Sequence, residues 1–109
     1  MARLDQINQL LAESPGDAFL QFALAKEYEK LGDDAAARRH YEELRKAQPD
    51  YVGLYYHLAK TLERLGYDAP AFATYTQGME VARRAGDGHA LSELAGARLE
   101  LGDEEDFAE

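Results

Sequence analysis

The sequence lacks cysteine altogether. Without thiols the chain has neither a disulfide framework nor a thiolate metal site. Residues 1–11 carry Arg3 and Asp5 within an amphipathic pattern and hold no apolar signal core. No apolar run approaches the roughly 18 to 20 residues needed to cross a bilayer. These absences favour a cytoplasmic protein with no membrane span.

Basic residues are also scarce. Twelve Lys and Arg stand against twenty-one Asp and Glu, which gives a net charge of −9. A surface of that charge repels the phosphates of nucleic acids and of anionic lipids. We therefore expect no nucleic acid and no membrane among the partners. At 109 residues the chain is long enough for a single domain with its own core.

The chain does contain a repeat with a period of 34 residues. Leu24, Gly32 and Tyr41 are among the residues that recur 34 positions later, as Leu58, Gly66 and Tyr75. A unit of this length holds two antiparallel helices and cannot bury its own apolar face. Copies of it are therefore expected to stack on one another into a solenoid.

Apolar residues at helical spacing predict six helices. They span about 4–11, 18–31, 35–47, 51–65, 70–85 and 89–101, separated by Pro, Gly and Asp residues that end or cap helices. The last helix repeats the pattern of residues 51–65 with a shift of 36 residues, which we ascribe to a longer linker at 86–88. The acidic residues 103–109 suggest a frayed tail or the start of a further helix.

These residues resemble the tetratricopeptide repeat. The signature positions are filled by Leu24, Ala25, Tyr28, Gly32, Ala37, Tyr41 and Pro49 in one unit, and by Tyr55, Leu58, Ala59, Leu62, Gly66, Ala71 and Tyr75 in the next. Gln21, Gly78 and Arg83 depart from the pattern, since a large aromatic, alanine and proline are usual there.

The resemblance implies an all-α, right-handed superhelical solenoid of antiparallel helix pairs. It divides the single domain 1–109 into a half unit at 1–16, complete repeats at 18–51 and 52–85, and a partial third repeat with an acidic tail at 87–109. It also implies a concave groove, lined by the first helix of each unit, that binds a peptide or protein segment.

On the groove side, an aromatic row lies beside a lysine row. The residues expected to bind a peptide are Phe19, Phe22, Lys26, Tyr56, His57, Lys60, His89 and Ser92. Glu93, on the last helix with His89 and Ser92, is expected to continue the same wall. The lysines have an alternative, because Lys26 and Lys60 each precede a glutamate by three residues and would pair with it on a solvated surface. The chain lacks the set of lysines, asparagines and arginine with which one subset of the family clamps a partner's C-terminal carboxylate.

Catalytic groups are not evident. The three histidines lie on separate helices, the two serines lack the glycine setting of a nucleophile, and the acidic run 103–106 lacks calcium-loop spacing. Gly86-Asp87-Gly88 follows a helix and lacks the lysine of a phosphate loop. We therefore predict a non-catalytic module with a protein or peptide partner, no cofactor and no metal.

Two alternatives stay open at this point. The first is a self-assembling scaffold, a possible homodimer, joined through the last helix, because a flank of Leu94, Ala97 and Leu101 without a covering helix would be exposed. The second is a small hydrolase or cation-dependent enzyme built on the histidines or on residues 103–106.

Overall fold

The protein is described here by a computed structural model that covers residues 2–108. Within them the chain forms six α-helices, a short 3-10 helix and no strand. The α-helices are α1 (Ala2–Glu13), α2 (Ala18–Lys30), α3 (Asp34–Ala47), α4 (Gly53–Arg64), α5 (Asp68–Ala85) and α6 (Gly88–Leu101), and the 3-10 helix is Glu104–Phe107. The predicted all-α class and six helices are confirmed. None of these helices is both long and apolar enough to span a bilayer.

Aspartates begin several helices and glycines end them. Asp17, Asp33 and Asp87 each accept a hydrogen bond, at 3.0 to 3.1 Å, from the backbone N–H three residues later, and so cap α2, α3 and α6. Gly32 and Gly66 follow α2 and α4 with φ angles of 83° and 87°, a left-handed conformation that glycine adopts without steric cost. The same turn therefore divides each of the two hairpins.

The helices stack in chain order around one core. α2 packs on α3 and α4 packs on α5, while α3 contacts α4 and joins the two hairpins. Large side chains that are fully buried fill the core: Tyr41, Leu44, Leu54, Tyr55, Leu58, Leu62, Tyr75 and Leu94. Because α4 also contacts both α2 and α6, these three first helices form one continuous wall.

Gly78 departs from the usual alanine because two helices approach closely there. A Cβ atom added to Gly78 on α5 would lie 2.5 Å from the Cβ of Tyr55 on α4 and 3.2 Å from a methyl group of Leu94 on α6. Atoms at 2.5 Å overlap, and the Tyr55 Cβ is fixed to the backbone of its helix. A glycine is therefore required at the point where α4, α5 and α6 meet.

The shift of 36 residues does not come from a longer linker, as the sequence led us to expect. α5 has 18 residues whereas α3 has 14, and only residues 86–87 separate α5 from α6. Pro49 follows α3 and prevents that helix from continuing. The equivalent residue after 34 positions is Arg83, which lets α5 continue until Gly86, whose φ is 72°. A longer helix followed by a shorter turn thus produces the shift.

The residues after α6 fold back onto the end of the stack. The Asp103 side chain accepts backbone hydrogen bonds at the start of the 3-10 helix Glu104–Phe107. The Phe107 ring stacks on Phe72 of α5 with 4.6 Å between centroids, and the guanidinium of Arg98 lies 4.3 Å from the centre of the Phe72 ring. This segment covers Phe72, which is only 7% exposed.

The prediction that α6 has an exposed apolar flank is wrong. Leu94 is 1% exposed, Ala97 is 7% exposed and Leu101 is half-buried, because α5 packs along this side of α6. The self-assembling alternative therefore loses the observation that motivated it. The exposed large apolar residue of α6 is Leu99.

Candidate functional site

Two adjoining clefts lie along the wall of first helices. The larger, about 650 Å³, lies beside α2 and is lined by Phe19, Phe22, Lys26 and Lys30 of that helix, with contributions from α1 and α4. The smaller, about 320 Å³, lies between α2, α4 and α6. Phe22, Lys26 and His57 line both clefts. The two clefts are therefore one continuous surface, which we call the groove.

Phe22 belongs both to the groove and to the packing between units. Its ring centroid lies 6.1 Å from that of Tyr41, 5.4 Å from that of Tyr51 and 5.5 Å from that of His57. His57 in turn stacks on Tyr41 and meets Tyr56 edge-on. Phe22, Tyr56 and His57 are therefore half-buried and help to join the two hairpins.

Phe19 is the aromatic residue of the groove that is free to meet a ligand. It is 66% exposed and lies one helical turn before Phe22 on the rim of the larger cleft. Its position beside a concave cleft gives a ligand in that cleft an apolar surface to bury.

The two predicted lysines lie above aromatic rings. The Nζ atom of Lys26 is 5.4 Å from the centre of the Phe22 ring, and that of Lys60 is 5.6 Å from the centre of the Tyr56 ring. Lys60 also lies 4.0 Å from the carboxylate of Glu63. The expected alternative pairing thus exists for Lys60, whereas among the described residues no carboxylate lies within 4.0 Å of Lys26.

Glu29 is held by residues of its own hairpin and of the next one. Its carboxylate accepts hydrogen bonds from the Tyr41 hydroxyl at 2.7 Å and from Arg64 at 2.8 Å, and it lies 3.5 Å from Nδ1 of His57. Burial by itself raises the pKa of this carboxyl, but the contacts with His57, Tyr41 and Arg64 outweigh burial and lower the pKa to about 2. The Arg64 guanidinium also binds Asp34, so one side chain bridges two units.

Of the residues expected on the last helix, one lines the groove. His89 and Ser92 are exposed and line neither of the two clefts, whereas Glu93 lines the smaller one together with Ala90, which was not predicted. On α1 and α2, Arg3 and Lys30 line the larger cleft and were not predicted either. Lys30 had a sequence signal, because it follows Lys26 by four residues and so shares its face of the helix.

Metal-binding or catalytic geometry is not evident in residues 2–108. No three His, Asp or Glu side chains in this range are grouped so as to hold a metal ion. His40 lies apart from the groove, where its ring stacks on Tyr28 with 5.1 Å between centroids, and burial lowers its pKa. The arrangement offers apolar surface, cations and carboxylates for binding.

Comparisons with known proteins agree with this fold. The family model for the tetratricopeptide repeat matches residues 18–61. The solution NMR structure of a tetratricopeptide repeat domain protein from Salinibacter ruber is 47% identical, covering 80% of this chain and 88% of its own, with a TM-score of 0.76. A crystal structure of a tetratricopeptide repeat domain protein from the same organism is 47% identical over 78% and 94%, with a TM-score of 0.75.

A protein of known solution structure from Bordetella parapertussis is 27% identical, covering 93% of this chain and 88% of its own, with a TM-score of 0.81. A comparison with curated proteins gives no significant match. Tetratricopeptide repeat domains are in general protein-interaction modules and are generally not catalytic. At 47% identity over 80% of its length, this chain belongs to the tetratricopeptide repeat family.

Proposed function

We propose that this protein binds a segment of a partner protein in the groove and catalyses no reaction. The observation that carries this proposal is Phe19, an aromatic side chain that is 66% exposed on the rim of a cleft of about 650 Å³. Rigid aromatic residues are favoured anchors in interfaces because they bury a large area at a small cost in side-chain entropy.

The other groove residues have complementary roles in this proposal. Phe22 and Tyr56 form the half-buried floor, and Lys26 and Lys60 present charge above it. His57 lines both clefts and, because Glu29 holds one of its ring nitrogens, keeps a fixed orientation. His89 and Ser92 are exposed on α6 and would contact only a segment that extends beyond the smaller cleft.

Phe19→Ala tests the proposal with little risk to the fold, since most of this side chain is already in solvent. Phe22 and Tyr56 are less suitable because they pack on Tyr41, Tyr75 and His57. The matched control is Leu31→Ala, which removes an apolar side chain of comparable exposure, 59%, from the turn after α2.

The measurement is quantitative affinity capture from the source cell, followed by titration calorimetry with the partner that is identified. We expect Phe19→Ala to weaken binding by about tenfold or more, in line with the loss of an interface anchor. Leu31→Ala should leave the affinity unchanged, and circular dichroism should show both variants folded. A folded Phe19→Ala protein that captures the same partners with unchanged affinity would show that the groove is not the binding surface.

A further inference from the structure

The charge of the groove changes sign from one end to the other. α2 presents Lys26 and Lys30 on the larger cleft, whereas α6 presents Glu93 on the smaller cleft and carries Glu100 about two helical turns further along the same helix. When α6 is aligned with α4 by the shift of 36 residues, Glu93 corresponds to His57 and Glu100 corresponds to Arg64. The three stacked helices are therefore not equivalent in charge, although they are repeats of one another.

The α2 end keeps an excess of positive charge after its internal pairs are counted. Of the four cations that line the larger cleft, Arg64 binds Glu29 and Asp34, and Arg3 lies 3.6 Å from Glu27. The other two are Lys26 and Lys30. Across residues 2–108, neither of these lysines has a carboxylate within 4.0 Å. This cationic end stands out in a chain whose net charge is −9.

The α6 end has the opposite excess. Glu93 is exposed on the smaller cleft, and in the described part of the chain no basic side chain lies within 4.0 Å of it. Burial and the hydrogen bond to Glu63 raise the pKa of Tyr75, and the negative charge of Glu100 adds to that effect. Glu100 thus adds negative charge on this side of α6, at the position that corresponds to the bridging arginine Arg64 of the preceding unit.

We propose that the groove selects a partner segment whose charges run in the opposite order, with acidic side chains over α2, an apolar centre and basic side chains over α6. This inference rests on the proposed function, since it describes the segment that occupies the same groove. A segment placed the other way would bring its acidic groups against Glu93 and its basic groups against Lys26, and like charges in contact disfavour a wrong partner.

A second copy of the chain is a poorer occupant. Two molecules with a net charge of −9 repel each other, and a concave surface has no protruding counterpart on an identical concave surface. The complementary object is an extended or helical segment of another protein, with charge separated along its length.

The experiment selects binding segments from a displayed library of random twelve-residue peptides. The protein is used as wild type and as two charge-reversed variants, Lys26→Glu with Lys30→Glu and Glu93→Lys with Glu100→Lys. The matched control is Arg39→Glu with Lys46→Glu, which reverses two exposed charges on the outer face of α3. Phe19→Ala reports whether the selected peptides occupy the groove at all.

We expect wild-type selection to enrich peptides with an acidic block and a basic block on either side of an apolar centre. Their affinity should fall about tenfold or more on each groove variant and stay within about twofold on the control. A nitroxide label attached to the acidic end should broaden the amide signals of α2, and a label on the basic end should broaden those of α6.

The results that would contradict this inference differ from those that would contradict the proposed function. Enriched peptides that need Phe19 but show no charge order, or that broaden α2 and α6 equally from either end, would overturn this inference and leave the groove as a binding site. Peptides that bind regardless of Phe19→Ala, or the absence of any enrichment, would overturn both proposals. Sedimentation showing a dimer that Lys26→Glu with Lys30→Glu dissociates would instead identify a second copy as the occupant.

Discussion

The hydroxyl of Tyr41, a fully buried residue, donates a 2.7 Å hydrogen bond to Glu29 across the hairpin of α2 and α3. The same bond recurs one repeat later, where Tyr75 donates to Glu63 across the hairpin of α4 and α5. Each hairpin is thus closed by a buried phenol and a half-buried carboxylate. In both cases burial, followed by the bond to the glutamate, raises the pKa of the tyrosine.

Replacing Tyr41 with phenylalanine should lower the free energy of unfolding by about 2 kcal/mol, because a hydrogen bond to a charged group is lost while the ring is retained. Tyr75→Phe should have a similar effect in the second hairpin. Tyr67→Phe is the control, since Tyr67 is 46% exposed. Urea unfolding followed by circular dichroism measures the three variants, and a loss below about 0.5 kcal/mol for Tyr41→Phe would contradict the role given to this bond.

The free energy of unfolding should depend on pH through the carboxyl group of Glu29. Its pKa is about 2 in the folded protein, against an ordinary value of 4.5. Because the folded state holds the lower pKa, the stabilisation is fully present above about pH 4.5 and is lost as the pH falls towards 2. We expect it to be about 2 kcal/mol, somewhat less than the full shift in pKa would give.

Glu29→Gln tests this dependence. The variant should be less stable than wild type at pH 7, and the difference should shrink as the pH falls from 4.5 to 2.5, because the Glu29 carboxyl then binds a proton in the unfolded chain before it does so in the folded protein. Urea unfolding at pH 7, 4.5 and 2.5 gives the comparison. A difference that stays constant over this range would mean that the Glu29 carboxylate does not stabilise the folded state by its charge.

Two glycines in helix interiors should respond to alanine in opposite directions. Gly78→Ala places a methyl group 2.5 Å from the Cβ of Tyr55 and should lower the free energy of unfolding by about 1 to 3 kcal/mol. Gly96 on α6 has no atom within 4 Å of the equivalent position, so Gly96→Ala should raise it by about 0.5 to 1 kcal/mol through helix propensity. Thermal unfolding compares them, and equal effects would show that the close approach at Gly78 is not limiting.

The fold-back of the chain after α6 should be measurable through Phe107. Phe107→Ala removes the ring that stacks on Phe72 and exposes that side chain, so we expect a loss of about 1 to 2 kcal/mol. Glu105→Ala changes an exposed residue of the same 3-10 helix and should be neutral within about 0.5 kcal/mol. Faster amide exchange at the end of α6 would accompany the first change, and unaltered stability and exchange would contradict the packing of Phe107.

The repeat made much of the fold predictable. Asp17, Asp33, Gly32 and Gly66 act locally, through side-chain caps and a left-handed turn, so their roles can be inferred from the sequence. The end of α5 at Ala85 was predicted as well, from the glycine that follows it. The cause of the shift of 36 residues was not, because the extension of α5 past Arg83 was taken for a longer linker.

The repeat also made part of the candidate site predictable. Residues that obey the period, such as Phe22, Tyr56 and Lys26, were placed on the groove side. The half-burial of Phe22 was not foreseen, because it depends on Tyr51, which was predicted to begin the helix but precedes α4 in the structure. Glu93 was expected on the groove wall, and it lines the smaller cleft. Arg3 reaches the larger cleft only through the packing of α1 on α2, which spacing within one helix does not reveal.

The long α5 has a consequence for anyone who wishes to engineer this array. Most consensus modules advance by 34 residues, whereas α6 follows the pattern of α4 after 36. Two residues rotate a helix by about 200° and advance it by about 3 Å, so a standard module grafted in place of α6 would turn its polar side towards α4. Artificial extensions of this protein must therefore either keep the 18-residue α5 together with its two-residue turn or replace all of the segment from α5 to α6 at once.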